Sequence, residues 1–530
     1  MRLSLSRLRG LLACLPLLLG PAAMVTPARA IEEVGLTLPL LQTDFVVRLD
    51  ELASPDTLWQ GTSDLAQLNQ ATDGRLGSEM IRLFNDPLPL GKPRLTQELL
   101  ENAMAEQVML LLSSVIRVDG FPKGLSEQQV LTALQTSARQ GPPSLRSFLK
   151  ALPGQRARIR LDEALLAVRR LLRQQEQGQK LVTSLVGTGL NKIPAGSPLL
   201  SPGPNAMRRF EVQLTVKHRN EPLQVVVLQP KGTANGRLVV ISHGLWDSPE
   251  NFEGWAEHLT SHGYTLLLPR HPGSDHQQQK AMLAGETPPP SAQELRARPL
   301  DVSASIDAVA NGTIKGLKGL RTDQVTVIGH SWGATTALQL GGARPTDQLL
   351  LKRCQNLNDP ARNLSWVLQC SFLASADQAS LADPRVTTVI AVSPVVSLLF
   401  NPARDAHNLT AHSVFVSGDN DWVAPSGPEA IDPFRAHGNP TQHLVLVGKG
   451  DHFNLRRGAG EGGGPLRGLM LAWIDQGQLP AKGWQDGDLV LVDVSAQVLG
   501  TTTPGPAGTP SRGPSAVSAG SAAGSRAQTP

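Results

Sequence analysis

The chain has 530 residues, 40% of them hydrophobic and only 4% aromatic. It is too long for one ordinary domain, and its cores must be filled mainly by Leu, Val and Ala. The net charge of +4 comes entirely from Arg2, Arg7, Arg9 and Arg29, so the chain from residue 31 on is near neutral, which gives no case for nucleic acid or an anionic membrane as a charge-driven partner.

The first 30 residues read as a secretory signal peptide. Arg2, Arg7 and Arg9 form a basic n-region, Leu11 to Gly20 an apolar h-region, and Ala28-Arg29-Ala30 an A-x-A cleavage site. An uncleaved anchor is the alternative, but the apolar run is short for a span and Pro16 interrupts it. Cys14 leaves with the signal. Cys354 and Cys370 then remain, and two cysteines in an exported chain suggest one disulfide. Two buried free thiols are the competing reading.

From Ile31 to about Leu185 the pattern is mostly helical. Ser126 and Gln129 form a capping-box start for a helix through Val130, Leu131 and Leu134. Val108 to Ile116 predicts a buried helix, and Leu161, Leu165, Val168 and Leu172 recur at helical spacing. No catalytic motif lies here. Gly187 to Asn205 is rich in Gly, Pro and Ser and reads as a linker.

Beyond it the texture changes. Phe210 to Val216 and Leu223 to Leu228 predict a hairpin. Apolar strands then alternate with helical stretches at Leu238 to Ile241, Tyr264 to Leu268, Val325 to Ile328, Val386 to Val392, Ser413 to Val416 and His443 to Val447. That alternation predicts an α/β domain with a mainly parallel, doubly wound sheet covered on both faces. Two inserts, His276 to Pro299 and Arg344 to Asp383, are candidate lids or pocket walls. The expected organisation is a signal peptide over 1–30, a helical domain over 31–186, a linker over 187–205, the α/β domain over 206–499 and a disordered, low-complexity tail over 500–530.

The chemistry centres on Val325 to Ala334, where a β-branched run enters Gly329-His330-Ser331-Trp332-Gly333. A strand, a sharp turn with Ser at its tip and a following helix make a nucleophile elbow. Gly329 and Gly333 remove side chains that the turn cannot hold. Ser331 needs a base, and the base an orienting acid, in the chain order Ser, Asp or Glu, His. Asp419 and Asp421 both follow a strand. Asp421 is preferred because it precedes a short apolar step and Pro425. His452 follows the next strand and is the candidate base. Asp451, its neighbour, is a poor partner because adjacent loop side chains diverge. The Trp332 N–H supplies one oxyanion donor, and the loop Ser242-His243-Gly244-Leu245 places the Leu245 N–H as the second. His243 reads as structural, and His271 is expected to line the pocket. With Asp275 and His276 it matches no common metal-ligand spacing, so no metal and no cofactor are expected.

Taken together, Ile241-Ser242-His243-Gly244, Arg270-His271-Pro272-Gly273-Ser274, the elbow and Gly450-Asp451-His452-Phe453 resemble the cyanobacterial α/β-hydrolases that carry a helical N-terminal domain of unknown function. The catalytic domains of that group are similar to platelet-activating-factor acetylhydrolase and the dienelactone hydrolases. The resemblance covers most of residues 31 to 480 and implies the α/β-hydrolase fold. It also implies a calcium-independent serine ester hydrolase with Ser331 as nucleophile, Asp421 as acid and His452 as base. The Pro-rich insert near Pro288 and the C-terminal tail depart from the pattern. A small-molecule or lipid ester is the expected partner, and contact with an envelope membrane surface stays open. The periplasm or the exterior is the expected location, or a lumen if the source has internal membranes. An acyltransferase would use the same triad, and a binding protein that kept the fold without catalysis is the reading from another class.

Overall fold

The computed structural model describes residues 31–37, 44–86, 102–121, 125–191, 193–194, 196–284, 286–400, 408–437, 439 and 442–500. The segments expected to be a signal peptide (1–30) and a disordered tail (from 501 on) lie outside the described residues.

A ten-stranded sheet organises the chain from residue 207 on. Its strands are β5 (Met207–Leu214), β6 (Leu223–Pro230), β7 (Arg237–Ser242), β8 (Thr265–Pro269), β9 (Arg321–His330), β10 (Val386–Val392), β11 (His412–Gly418), β12 (His443–Gly448), β13 (Gly483–Asp486) and β14 (Leu489–Asp493). They lie in the order β13-β14-β12-β11-β10-β9-β7-β8-β6-β5. The central six, β12 to β8 in that order, are parallel. Their apolar runs are buried on both faces, as a parallel sheet under helices requires. Antiparallel hairpins close both edges. The β5–β6 hairpin is the expected one. The β13–β14 hairpin is additional: Trp484, Leu491 and Val492 are buried in it, but their short segments gave no clear period.

The N-terminal region, expected to be mostly helical, also carries strands. Four short strands, β1 (Glu33–Thr37), β2 (Asp44–Arg48), β3 (Ile116–Val118) and β4 (Arg156–Arg160), pair as a second sheet in the order β2-β1-β4-β3. β1 pairs with β4 across more than a hundred residues, a non-local contact that no sequence window contains. The sheet has a core of its own around Val34, Leu52, Phe84 and Leu149. The helix Glu127–Gln140 begins with the expected capping box of Ser126 and Gln129. The helix Ala103–Val115 forms, but Val108 on it is exposed.

The helix Leu161–Val186 holds the largest departure. Its apolar stripe faces solvent: Leu165 is 45%, Val168 52% and Leu172 58% exposed. Its buried face is polar and carries Gln174, Gln175 and, further on, Val182, which enters the core of the ten-stranded domain. The following Pro- and Gly-rich stretch is strapped to that domain. The Asn191 N–H donates to the Gly483 carbonyl (2.9 Å), and the Gly203 N–H donates to Ser261 Oγ (2.8 Å). Among the described residues no helix is long and apolar enough to cross a membrane.

The insert His276 to Pro299 forms the helix His276–Leu283 and the first turns of the helix Glu294–Ala310. Glu294 and Arg298 of the insert are buried, so this part is a foundation of the domain and not a loose lid. The second insert carries Cys354 and Cys370 joined as a disulfide, with Cα atoms 5.7 Å apart.

Candidate active site

Ser331 stands at the carboxyl end of β9 with φ 55° and ψ −121°, immediately before the helix Trp332–Leu340. A non-glycine residue held there stores strain that the surroundings must maintain. They do so through the Ser331 N–H, which donates to the Val392 carbonyl of β10 at 2.9 Å. A Cβ at Gly329 would collide with the Gly333 carbonyl oxygen, and one at Gly333 with the Ser242 carbonyl oxygen. Both glycines of the motif are therefore steric necessities. Ser331 itself is nearly enclosed, at 6% exposure.

The acid loop after β11 and the histidine loop after β12 meet beside the elbow. His452 Nδ1 lies 2.8 Å from Asp421 Oδ2. The other carboxylate oxygen of Asp421 accepts the N–H groups of Val423 (2.9 Å) and Ala424 (2.8 Å). With both oxygens occupied and the side chain fully buried, Asp421 cannot turn away from the ring. Asp419 serves another purpose, accepting the Lys449 N–H at 2.8 Å. Asp451 caps its own loop through the N–H groups of Phe453 and Asn454. His330, next to Ser331, donates through Nε2 to the His452 carbonyl oxygen at 2.8 Å, and the two imidazole centroids are 4.9 Å apart. That bond ties the histidine loop to the elbow.

The expected oxyanion loop follows β7. A Cβ on Gly244 would stand 3.2 Å from the Ser331 Cβ, a crowded contact, so glycine leaves this backbone room beside the nucleophile. His243 fixes how it approaches. Its Nε2 accepts the His271 N–H at 3.1 Å, which puts the ring proton on Nδ1, and Nδ1 donates to the Gly244 carbonyl at 2.8 Å. A trans peptide points its C=O and N–H in opposite directions. With the Gly244 carbonyl turned to the imidazole, the Leu245 N–H is directed away from it. Trp246 follows with φ 55° and donates its N–H to the Ser274 carbonyl at 2.7 Å, completing a tightly held turn. The Trp332 N–H begins a helix and so has no intrahelical acceptor. Arg298 touches both donors' supports. Its Nη2 donates to the His243 carbonyl oxygen, and its guanidinium lies 4.7 Å from the centre of the Trp332 indole.

His271 does not line the pocket. It is fully buried, with Nδ1 2.8 Å from Asp301 Oδ2 and Nε2 2.9 Å from Ser242 Oγ. Ser242, His271 and Asp301 thus repeat a Ser-His-Asp line, but all three are sealed from solvent. Asp301 also pairs with Arg219 (2.6 Å) and His218 (2.8 Å), which the β5–β6 turn delivers. Burial opposes the ionised form of Asp301, but hydrogen bonds from His218, His271 and Arg219 outweigh it and hold the carboxyl well below its usual range. Among the described residues no group of three or more His, Cys, Asp or Glu is gathered as a metal site.

Two further contacts carry no motif in the sequence. Gln175 Nε2 donates to the Asp421 carbonyl at 3.1 Å, and Gln179 Nε2 to Asn420 Oδ1 at 3.0 Å. The helix Leu161–Val186 therefore braces the acid loop. A run of glutamines on one helical face is the one trace of this in the chain, and it reads equally well as a solvated surface.

Buried histidines make stability pH-dependent. Burial holds His258 at about 4 and His271 at about 3, and pushes His243 well below the ordinary value of 6.5. Below pH 6.5 the unfolded chain binds more protons than the native one. The contribution of these groups is therefore complete above 6.5 and is lost as pH falls through about 4 and 3, at up to ~1.4 kcal/mol per pH unit for each group. Asp419, raised to about 6 by burial, acts in the opposite sense. Burial raises Asp275, Glu294 and Asp486 as well, but it also lowers His330 and His412, and the five histidines set the sign, so the urea midpoint is expected to fall from pH 6.5 to 4. A flat profile in that window would contradict neutral buried imidazoles.

The sheet and the elbow define the class: this is the α/β-hydrolase fold. A family model described as alpha/beta hydrolase fold matches residues 237–347, from β7 through the elbow to the first residues of the disulfide-bearing insert. No curated protein matches the chain. The fold supports a hydrolase-type function in general.

Proposed function

We propose that the protein is an exported serine hydrolase of carboxylic esters. One observation carries the reading: a fully buried Asp421 orients His452 at 2.8 Å beside a serine held at φ 55° on an elbow. In the mechanism, Ser331 Oγ attacks the ester carbonyl carbon as His452 Nε2 takes its proton. The imidazolium is stabilised by Asp421. The tetrahedral oxyanion is met by the N–H groups of Leu245 and Trp332, each worth roughly 3 kcal/mol in sites of this kind. Collapse breaks the C–O bond, His452 returns the proton to the leaving alcohol, and an acyl-Ser331 ester remains. Water, deprotonated by His452, attacks that ester and releases the carboxylic acid.

Kinship to the platelet-activating-factor acetylhydrolases, and hence short-acyl or lipid esters as substrates, belongs to the same proposal. It is supported by the motifs around Gly244, His271 and His452. Export is supported by the basic and apolar N-terminal segment with its A-x-A site, and by a disulfide suited to an oxidising compartment. A fluorophosphonate probe tests the enzyme reading. The folded wild type is expected to label stoichiometrically and Ser331→Ala not at all. Absence of label on the folded wild type would overturn it.

A further inference from the structure

Beside the acid loop lies a groove of about 470 Å³, walled by the helices Ala103–Val115 and Leu161–Val186, by the disulfide-bearing insert and by Trp422. Its volume falls in the range of roughly 300–1,000 Å³ usual for small-ligand sites. Three guanidinium groups line it: Arg117, Arg170 and Arg362. Among the described residues none of the three has a carboxylate within ion-pair distance. Arg362 is only 5% exposed, yet its partners are neutral: the Cys354 carbonyl at 2.9 Å and Gln107 Oε1 at 3.4 Å. Arg170 donates to the Leu357 carbonyl at 3.2 Å. The nearby acids are already engaged, Asp359 by Arg353 at 2.6 Å and Glu163 by Arg160 at 2.9 Å.

Uncompensated buried charge is costly, and like charges packed together add to the cost. Burial, and then repulsion from Arg170, lower the pKa of Arg362, and attraction to Asp359 offsets this only in part. A forked guanidinium relieves this best with a planar or tetrahedral oxyanion. The rest of the lining mixes an apolar wall, with Val168, Leu171, Leu364 and Trp422 in it, and the polar side chains of Glu163, Gln174, Asn358 and Asn363, and Glu163 is held by Arg160. The groove ends at a wall next to the acid and histidine loops. Trp422 adjoins Asp421, its ring centroid is 6.0 Å from that of Phe453, and Phe453 adjoins His452.

We propose that this groove binds an anionic amphiphile. Its carboxylate or phosphate is held by Arg117, Arg170 and Arg362, and its apolar chain runs over Leu171 and Trp422 toward Ser331. That the chain is part of the ester substrate rests on the serine-hydrolase reading; the binding itself does not.

Isothermal titration of full-length Ser331→Ala, which cannot turn over, tests it with decanoate, decyl phosphate and decanol. Saturable one-to-one binding of at least one anion is expected, at least tenfold tighter than decanol, and the tighter anion identifies the headgroup. Arg117→Gln and Arg170→Gln are each expected to weaken that anion tenfold or more and to reduce the dependence on salt. Arg170 makes a single bond to the insert, at the Leu357 carbonyl, whereas Arg362 ties Cys354 and Asn356 together within it, so both variants should fold. Decanol binding as tightly as the anions, unchanged affinity in both arginine variants, or no binding at all would overturn the proposal. The hydrolase reading fails separately, through absent fluorophosphonate label on a wild type that still binds the anion.

Discussion

Replacing His452 by alanine is expected to lower kcat/KM for p-nitrophenyl acetate by roughly four to six orders of magnitude, the loss seen when the base of a Ser-His-Asp triad is removed. The size follows from roles that no neighbour can assume. His330 is the nearest imidazole, but its Nε2 is committed to the His452 carbonyl, and burial followed by the adjacent His452 keeps its pKa far below the ordinary value. Asp421→Ala is expected to cost about four orders of magnitude, because Asp421 sets the His452 tautomer and stabilises the imidazolium. Asp419→Ala should stay within about tenfold of the wild type, since its carboxylate serves the Lys449 N–H of the loop. The contrast between the two aspartates is the sharper test. Comparable losses in both would move the acid's role away from Asp421, and a His452→Ala enzyme within tenfold of the wild type would remove the triad altogether.

Glu429→Ala is expected to cost about 3–5 kcal/mol of stability, read as a fall in the urea midpoint at unchanged m-value. Glu429 is fully buried just behind the acid loop. Its carboxylate accepts the N–H groups of Val396 (2.8 Å) and Ser397 (3.0 Å), the hydroxyls of Ser365 (2.8 Å) and Ser397 (2.6 Å), Asn363 Nδ2 (2.8 Å) and Gln369 Nε2 (3.1 Å). Those donors come from the disulfide-bearing insert and from the chain after β10. Alanine would strand them in a dry interior, where each unpaired polar group costs about 1–3 kcal/mol before relaxation. Glu429→Gln should also destabilise, since its amide brings donors to face donors. Asn363 and Leu364 line the proposed amphiphile groove, so a loosened insert should also weaken decanoate or decyl phosphate binding. A loss below about 1 kcal/mol would show that the insert is held by other contacts.

Much of the site could be read before any coordinates. The elbow glycines are legible because their reason is local: a turn that tight has no room for a side chain at Gly329 or Gly333. The parallel strands are legible because strands buried on both faces must be apolar throughout. The helix at Glu127–Gln140 announced itself by a capping box that spans four residues. Ser331, Asp421, His452 and the Gly244–Leu245 loop could be nominated because each follows a strand, and the carboxyl ends of parallel strands converge. Distinguishing Asp421 from Asp419 needed coordinates, since both lie in one loop and only the fold decides which carboxylate faces the imidazole.

The remainder was decided by contacts between residues far apart in the chain. The small N-terminal sheet exists because β1 meets β4, a pairing with no local signature. The helix Leu161–Val186 turns its glutamines inward, where loop carbonyls await them, and leaves Leu165, Val168 and Leu172 exposed. Hydrophobic periodicity points the other way because it assumes an apolar core opposite the helix. His271 reads as a pocket residue until Asp301 and Arg219, from two other segments, close around it. The sequence by itself determined the fold class and nominated Ser331, His452 and an acid loop with Asp421 preferred over Asp419, because these rest on short-range sterics and burial period. Only the tertiary structure decided the tautomer of His243, the brace on the acid loop and the convergence of Arg117, Arg170 and Arg362, because each depends on where distant segments leave charge and hydrogen-bonding capacity to be met.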